Sequence, residues 1–109
     1  MMMLEEEKLK IKAKLFRGFA DPTRLAILES LRDGEKTVTE IVRETEQSQS
    51  NVSNHLSCLL ECGLLKNRRQ GKNIHYSIRN AKVKELLENS DVVLSEVYRE
   101  IFECIRYEE

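Results

Sequence analysis

The chain has no tryptophan and only one proline among its 109 residues, and aromatics make up just 6%. That shortage argues against a β-sandwich, whose many short strands need frequent turns and a bulky core. No apolar run exceeds three or four residues, far short of the roughly 20 that a membrane-spanning helix needs. The first ten residues, MMMLEEEKLK, are acidic early and lack the apolar stretch of a secretory leader. The expectation is an intracellular, cytoplasmic protein with no membrane partner. P-loops and glycine-rich dinucleotide turns are absent, as is any cysteine–histidine–carboxylate arrangement, so an enzyme is not expected.

What is present is ordinary for a soluble domain: 40% hydrophobic and 34% charged residues. A chain of this length supports a single domain, residues 1–109, with a modest core, and such a core often gains stability from a second subunit. The net charge of −1 hides an asymmetry. Residues 63–84 carry Lys66, Arg68, Arg69, Lys72, Arg79, Lys82 and Lys84 with no acid, whereas residues 85–109 carry eight acids. A local basic patch attracts polyanions whatever the net charge.

Read in order, residues 5–20 predict a helix with Ile11, Leu15 and Phe19 on one stripe, widened by Phe16 and Ala20. Asp21 suits an N-cap and Pro22 the first helical position, starting a second helix to about Arg32 that buries Leu25, Leu28 and Leu31. Thr37-Val38-Thr39-Glu40 fits a capping box for a short third helix over about 38–46, with Val38, Ile41 and Val42 inward. Gln47 makes a turn, and Ser48 caps a fourth helix that ends at Gly63. The period then changes from 3.6 to 2. Two alternating runs, 65–69 and 74–78, flank Gln70-Gly71-Lys72-Asn73 and predict a β-hairpin. From about Ala81 to 107 the helical period returns, as one helix or as two broken at Asn89-Ser90-Asp91. Its wide apolar stripe, Val93, Leu94, Val97, Tyr98, Ile101, Phe102 and Ile105, suggests a helix shared between two subunits.

These elements predict a mainly α fold with a β-hairpin: a homodimeric winged helix-turn-helix. The helix-turn-helix occupies about 38–62, the wing about 64–78 and the dimerisation helix or helices about 81–107. Ser48, Gln49, Ser50, Asn51, Ser53, Asn54 and His55 are short or forked hydrogen-bonding side chains that can reach phosphates and base edges of double-stranded DNA. Arg68, Arg69 and Lys72 supply positive charge at the hairpin tip. A rival assignment, a protein-interaction module, predicts no salt-sensitive affinity for DNA.

On a helical wheel, Val52, Leu56, Leu59 and Leu60 fall within about a quarter turn. Cys58 and Cys62 sit together about a third of a turn away, one above the other at i and i+4. Cys104 is the only other cysteine. An odd number of thiols in a reducing compartment points to buried thiols, reactive thiols or metal ligands rather than disulfides. Three thiolates without clustered histidine favour a soft ion, such as Cd(II) or Pb(II), over zinc.

Phe19–Leu25, Ser48–Leu56, Gly63-Leu64-Leu65 and Arg69–Lys72 together resemble the ArsR/SmtB family of bacterial metal-sensing repressors, in order and spacing, over about residues 9–80. The resemblance implies a winged-helix homodimer that binds its operator metal-free and is released by an effector. Ser50–Cys58 with Cys62-Gly63-Leu64 is most similar to the cadmium/lead-sensing branch. There, two cysteines of the recognition helix act with one from the C-terminal region of the other subunit. Cys58 and Cys62 match the first two and Cys104 lies at a comparable distance, so the implied metal ligands are Cys58, Cys62 and Cys104. Resemblance to other family members also allows As(III), and a thiol redox sensor is a further alternative.

Overall fold

The structure, a computed structural model, describes residues 4–108, with side chains as far as Ile105. Met1, Met2 and Met3, which begin the stretch read as lacking a leader, lie outside the described residues. The elements run α1 (Glu5–Ala20), α2 (Pro22–Ser30), β1 (Lys36–Thr37), α3 (Val38–Thr45), α4 (Gln49–Glu61), β2 (Leu65–Gln70), β3 (Asn73–Ile78) and α5 (Ala81–Glu108). Residues up to Arg79 form one compact unit and those from Asn80 another. The three-stranded antiparallel sheet of the first unit has order β1-β3-β2.

Local chemistry accounts for most boundaries. Glu5, Glu6 and Glu7 occupy the first turn of α1, where carboxylates suit the positive end of the helix dipole. Asp21 ends α1 and starts α2: its Oδ1 accepts the N–H groups of Thr23 at 2.9 Å and Arg24 at 3.0 Å, with Pro22 in the first turn. The Thr37/Glu40 capping box forms as expected, Glu40 N–H donating to Thr37 Oγ1 at 3.3 Å and Thr37 N–H to Glu40 Oε1 at 2.9 Å. Glu46, not Gln47, turns the chain after α3, taking a left-handed φ of 58°. Ser48 Oγ caps α4 by accepting Asn51 N–H at 3.1 Å. Gly63, at φ 77°, stops α4: Gly63 N–H bonds Leu60 O at 3.1 Å and Leu64 N–H bonds Leu59 O at 3.0 Å. That pair of bonds is a Schellman motif, and the positive φ is why glycine stands there.

The core of the first unit joins Ile27, Leu28 and Leu31 of α2 and its end, Ile41 of α3, Val52, Leu56 and Leu59 of α4, and Leu64 and Leu65, all at most 2% exposed. Three expectations change here. Leu25 is 38% exposed, and Ile27 takes the core position that a leucine-only reading missed. The hairpin link is tighter than four residues, because Gln70 pairs with Asn73 and leaves Gly71-Lys72 as a two-residue turn. β1 went unread because two residues carry no periodicity; it pairs Lys36 with Tyr76 and Thr37 with His75.

In the second unit α5 is one helix of 28 residues, opened by Asn80 Oδ1 accepting Val83 N–H at 3.1 Å. Asn89-Ser90-Asp91 does not break it. Ser90 Oγ donates to Leu87 O at 2.6 Å, and Ser95 Oγ to Val92 O at 2.7 Å, so these polar residues feed the helix's own carbonyls. Val92, Val93, Leu94, Tyr98, Ile101, Phe102 and Ile105 are exposed, and the Tyr98 and Phe102 rings stack at 5.9 Å. On α1, Leu9, Ile11 and Phe16 are exposed too, Leu15 and Phe19 are half-buried, and only Gly18 is buried.

The two leucine/isoleucine positions that sequence and structure treat differently give a direct check. Ile41→Ala should destabilise by about 2–5 kcal/mol and Leu25→Ala by roughly a third of that or less, measured by urea denaturation at one protein concentration.

Candidate nucleic-acid interface and thiol pair

The burial of Val52, Leu56 and Leu59 sets α4's rotation and leaves Ser48, Gln49, Ser50, Ser53 and Asn54 exposed at its start. No acid lies between Gln47 and Leu60. Two candidates at this end are already engaged. Asn51 is half-buried, with Nδ2 donating to Gln47 Oε1 at 3.0 Å. His55 is half-buried, with Nε2 4.0 Å from Asp21 Oδ1. The Arg24 N–H bond holds the Asp21 carboxyl below its ordinary range, with His55 and the Thr23 N–H adding to that against partial burial.

On the wing, Arg69 and Lys72 are exposed, and Lys72 and Asn73 share a small groove with Thr37, Val38 and Thr39 at the start of α3. Arg68 is placed differently. Its Nε donates to Glu35 Oε2 at 3.0 Å, its Nη2 also bonds that carboxylate, and its Nη1 donates to Gln70 Oε1 at 2.8 Å. His75, opposite Arg68 in the β2–β3 register, brings Nδ1 within 3.9 Å of Glu35 Oε1. Arg68 thus meets a carboxylate across the whole sheet, and the sequence could not show this because Glu35 lies 33 residues away. The hydrogen bond from Arg68 draws the Glu35 carboxyl below its ordinary range and pushes the guanidinium up.

The thiols lie at the other end of α4. Cys58 and Cys62 are half-buried, Cys104 is exposed on α5, and none of the three is in a disulfide. Cys58 and Cys62 line an open groove of about 760 Å³ with Lys8, Ile11, Lys12, Lys14, Leu15 and Glu61. Burial pushes the Cys62 thiol up; the neighbouring Cys58 pushes it further, and Lys14 and Arg24 oppose both. Two sulfur donors one helical turn apart are a fitting start for a soft-metal site. Among the described residues no three His, Cys, Asp or Glu side chains gather closely enough to hold an ion. Sequence reasoning missed Arg24, whose Nη1 lies 4.0 Å from Cys58 Sγ. Its only signal was its place three residues after a capping aspartate.

A short helix, a left-handed turn, a second helix with a polar exposed start and a basic antiparallel hairpin make a winged helix-turn-helix DNA-binding protein. Residues 21–67 match the family described as bacterial regulatory protein, arsR family. The chain is 37% identical over 86 residues to the HTH-type transcriptional regulator CmtR of Mycobacterium bovis, covering 79% of this chain and 73% of that one. It is 45% identical over 75 residues to a probable mercury resistance operon repressor of Streptomyces lividans, covering 69% of this chain but only 60% of that one. Among solved structures, a homodimeric winged helix-turn-helix domain from Mycobacterium bovis, described as a possible ArsR-family regulator, superposes with a TM-score of 0.81. It shares 28% identity and covers 92% of this chain and 93% of that one. The chain belongs to the ArsR family of bacterial regulatory proteins, whose members here are transcriptional regulators and not enzymes.

The depressed Glu35 carboxyl has a stability signature. A carboxyl held low in the folded state stabilises above its ordinary value, and that contribution is lost as the pH falls through the depressed one. Glu35→Gln should therefore melt below wild type at neutral pH, with the gap closing as the pH drops below the ordinary glutamate value of 4.5.

Proposed function

We propose that this chain is a cytoplasmic, homodimeric repressor that binds operator DNA metal-free and releases it when a thiophilic ion, Cd(II) or Pb(II), occupies Cys58, Cys62 and Cys104. The observation that carries this reading is the thiol pair itself: two half-buried cysteines one turn apart on the helix that also presents the DNA-reading side chains. CmtR, a cadmium resistance regulator homologue of Staphylococcus aureus and the arsenical resistance operon repressor of Escherichia coli are all among the chain's relatives, which supports a thiophilic effector as a class.

Two thiolates leave a soft ion short of donors. The groove beside them is rimmed by Lys8, Lys12 and Lys14, whereas α5 carries Glu96, Glu100 and Glu103 near Cys104 and leaves Ile101, Phe102 and Ile105 exposed. Complementary charge and apolar surface suit the end of α5 from a second copy to that groove, which would bring the partner subunit's Cys104 to the pair. The exposed stripe of α5 serves the dimer, in keeping with the homodimeric neighbour.

In operator binding, the exposed Ser48, Gln49, Ser50, Ser53 and Asn54 face the major groove, and Asn51 and His55 stand beside it, held by Gln47 and Asp21. Arg68, Arg69 and Lys72 meet phosphate, and Arg68 exchanges the Glu35 carboxylate for it. The two recognition helices of a dimer match half-sites about one helical turn apart, roughly 34–36 Å. A bound ion supplies a cross-link between sulfurs. Cys58 and Cys62 anchor one side of it on the recognition helix, so the position of α4 and the occupancy of the thiols are coupled.

The decisive experiment is operator binding with and without Cd²⁺ or Pb²⁺. Release by about 5–150-fold is expected for wild type, and an unchanged response in Cys58→Ser would sink the thiol site. Ultraviolet thiolate-to-metal absorption accompanying release, with no release by peroxide, separates metal from redox sensing. Because Cys62 must lose a proton that burial holds on, metal affinity should rise with pH, read by titration of the same absorption band. On the wing, Arg69→Ala and Lys72→Ala should each weaken binding to all DNA sequences and lower the salt slope by about 1, measured by fluorescence anisotropy across a salt series.

A further inference from the structure

Arg24 is absorbed neither by DNA reading nor by metal ligation, yet its side chain joins three elements of the first unit. It is half-buried, and three of its nitrogens are committed. Nε donates to Gly18 O at 3.3 Å and Nη2 to Arg17 O at 3.0 Å, both carbonyls of the last turn of α1 that lack helical partners. Nη1 reaches Cys58 Sγ at 4.0 Å. Its backbone N–H is tied to Asp21 Oδ1 at 3.0 Å, the oxygen that faces His55 Nε2 at 4.0 Å. His55 and Cys58 lie three residues apart on α4, so they share a face. One turn of α2 therefore grips α4 at two points and the end of α1 at two more. A guanidinium, with five donors in a planar fork, can serve two carbonyls and a sulfur together; an ammonium on a flexible stem cannot hold all three in one geometry.

We propose that Arg24 is a positioning residue: it holds α4 in the pose that reads DNA, and its contact with Cys58 is the link through which occupancy of the thiol pair reaches the DNA-reading turn. The second half rests on the proposed effector site at Cys58. A sulfur whose lone pair is engaged elsewhere is a poorer acceptor for Nη1, and added positive charge on that sulfur faces a guanidinium. Loosening at Cys58 is transmitted one turn back to His55, because Asp21, which faces His55, and Arg24 are fixed to each other through the α2 cap.

The test is a double-mutant cycle with the full-length chain, comparing wild type, Arg24→Gln, Cys58→Ala and the double variant. The DNA is a duplex selected from random sequence by the wild-type protein, and circular dichroism and melting temperature serve as fold controls. In metal-free protein each single change should weaken binding by on the order of 3- to 30-fold, and the double variant should be no weaker than the worse single one. With Cd²⁺, Arg24→Gln should keep the wild-type thiolate-to-metal absorption and stoichiometry, while the metal changes its DNA affinity by less than about threefold. If Arg24→Gln does not fold, Arg24→Lys, which retains charge and stem, carries the same cycle. Effects that simply multiply, or an Arg24 variant with wild-type DNA affinity and full release by Cd²⁺, would overturn the proposal. Absence of metal absorption in wild type would instead remove the effector reading, and the metal-free cycle would still decide whether Arg24 holds α4.

Discussion

Val52, Leu56 and Leu59 are fully buried, and their burial sets the rotation of α4 about its own axis. Both the polar start of α4 and its thiol pair depend on that setting. With the apolar stripe turned into the core, Ser48, Gln49, Ser50, Ser53 and Asn54 must face outward, and Cys58 and Cys62 must lie at the edge of the core, half-covered. A rotation of one residue, about 100°, would bury a polar group without a partner and expose a leucine. The exposed polar side chains at the start of α4 and the two thiols near its end are thus fixed relative to one another by the hydrophobic effect, which is non-directional, acting on a helix, which is not.

Polar contacts refine this frame. Asp21, reading as a simple cap, also faces His55; Arg24, three residues on, holds α1 and Cys58. Glu35 does for the wing what Asp21 does for α4: it places one side chain, Arg68, by a carboxylate drawn from a distant part of the chain. Both carboxylates are solvent-accessible, so their worth lies in orientation more than in stability. A carboxylate paired with a wing arginine also competes with phosphate, which makes Arg68 a different kind of candidate from the exposed Arg69 and Lys72.

Much of this was legible beforehand. The residue 5–20 helix, the Asp21-Pro22 start, the Thr37–Glu40 box and the stop at Gly63 all appear where the residue types place them, because each rests on interactions within four or five positions of chain. The places where reading failed share a cause. Ile27 displaced Leu25 from the core because tertiary packing, not leucine content, chooses the buried face of a nine-residue helix. β1 is too short to show a period, and it exists because β3 offers it an edge. The polar triplet at 89–91 looked like a break, yet the helix continues because serine hydroxyls bond its own carbonyls.

By itself the sequence determined the winged helix-turn-helix, the polar start of α4, the basic hairpin and the i, i+4 spacing of Cys58 and Cys62. All of these follow from local periodicity, capping and turn chemistry. Only the tertiary structure decided that Arg68 meets Glu35, that His55 and Cys58 face the Asp21–Arg24 turn, and that the thiols open onto a lysine-rimmed groove beside α1. The polar pairs among them join residues 33 or 34 positions apart. No propensity or period encodes them, because they exist only once the core has set the helices against one another.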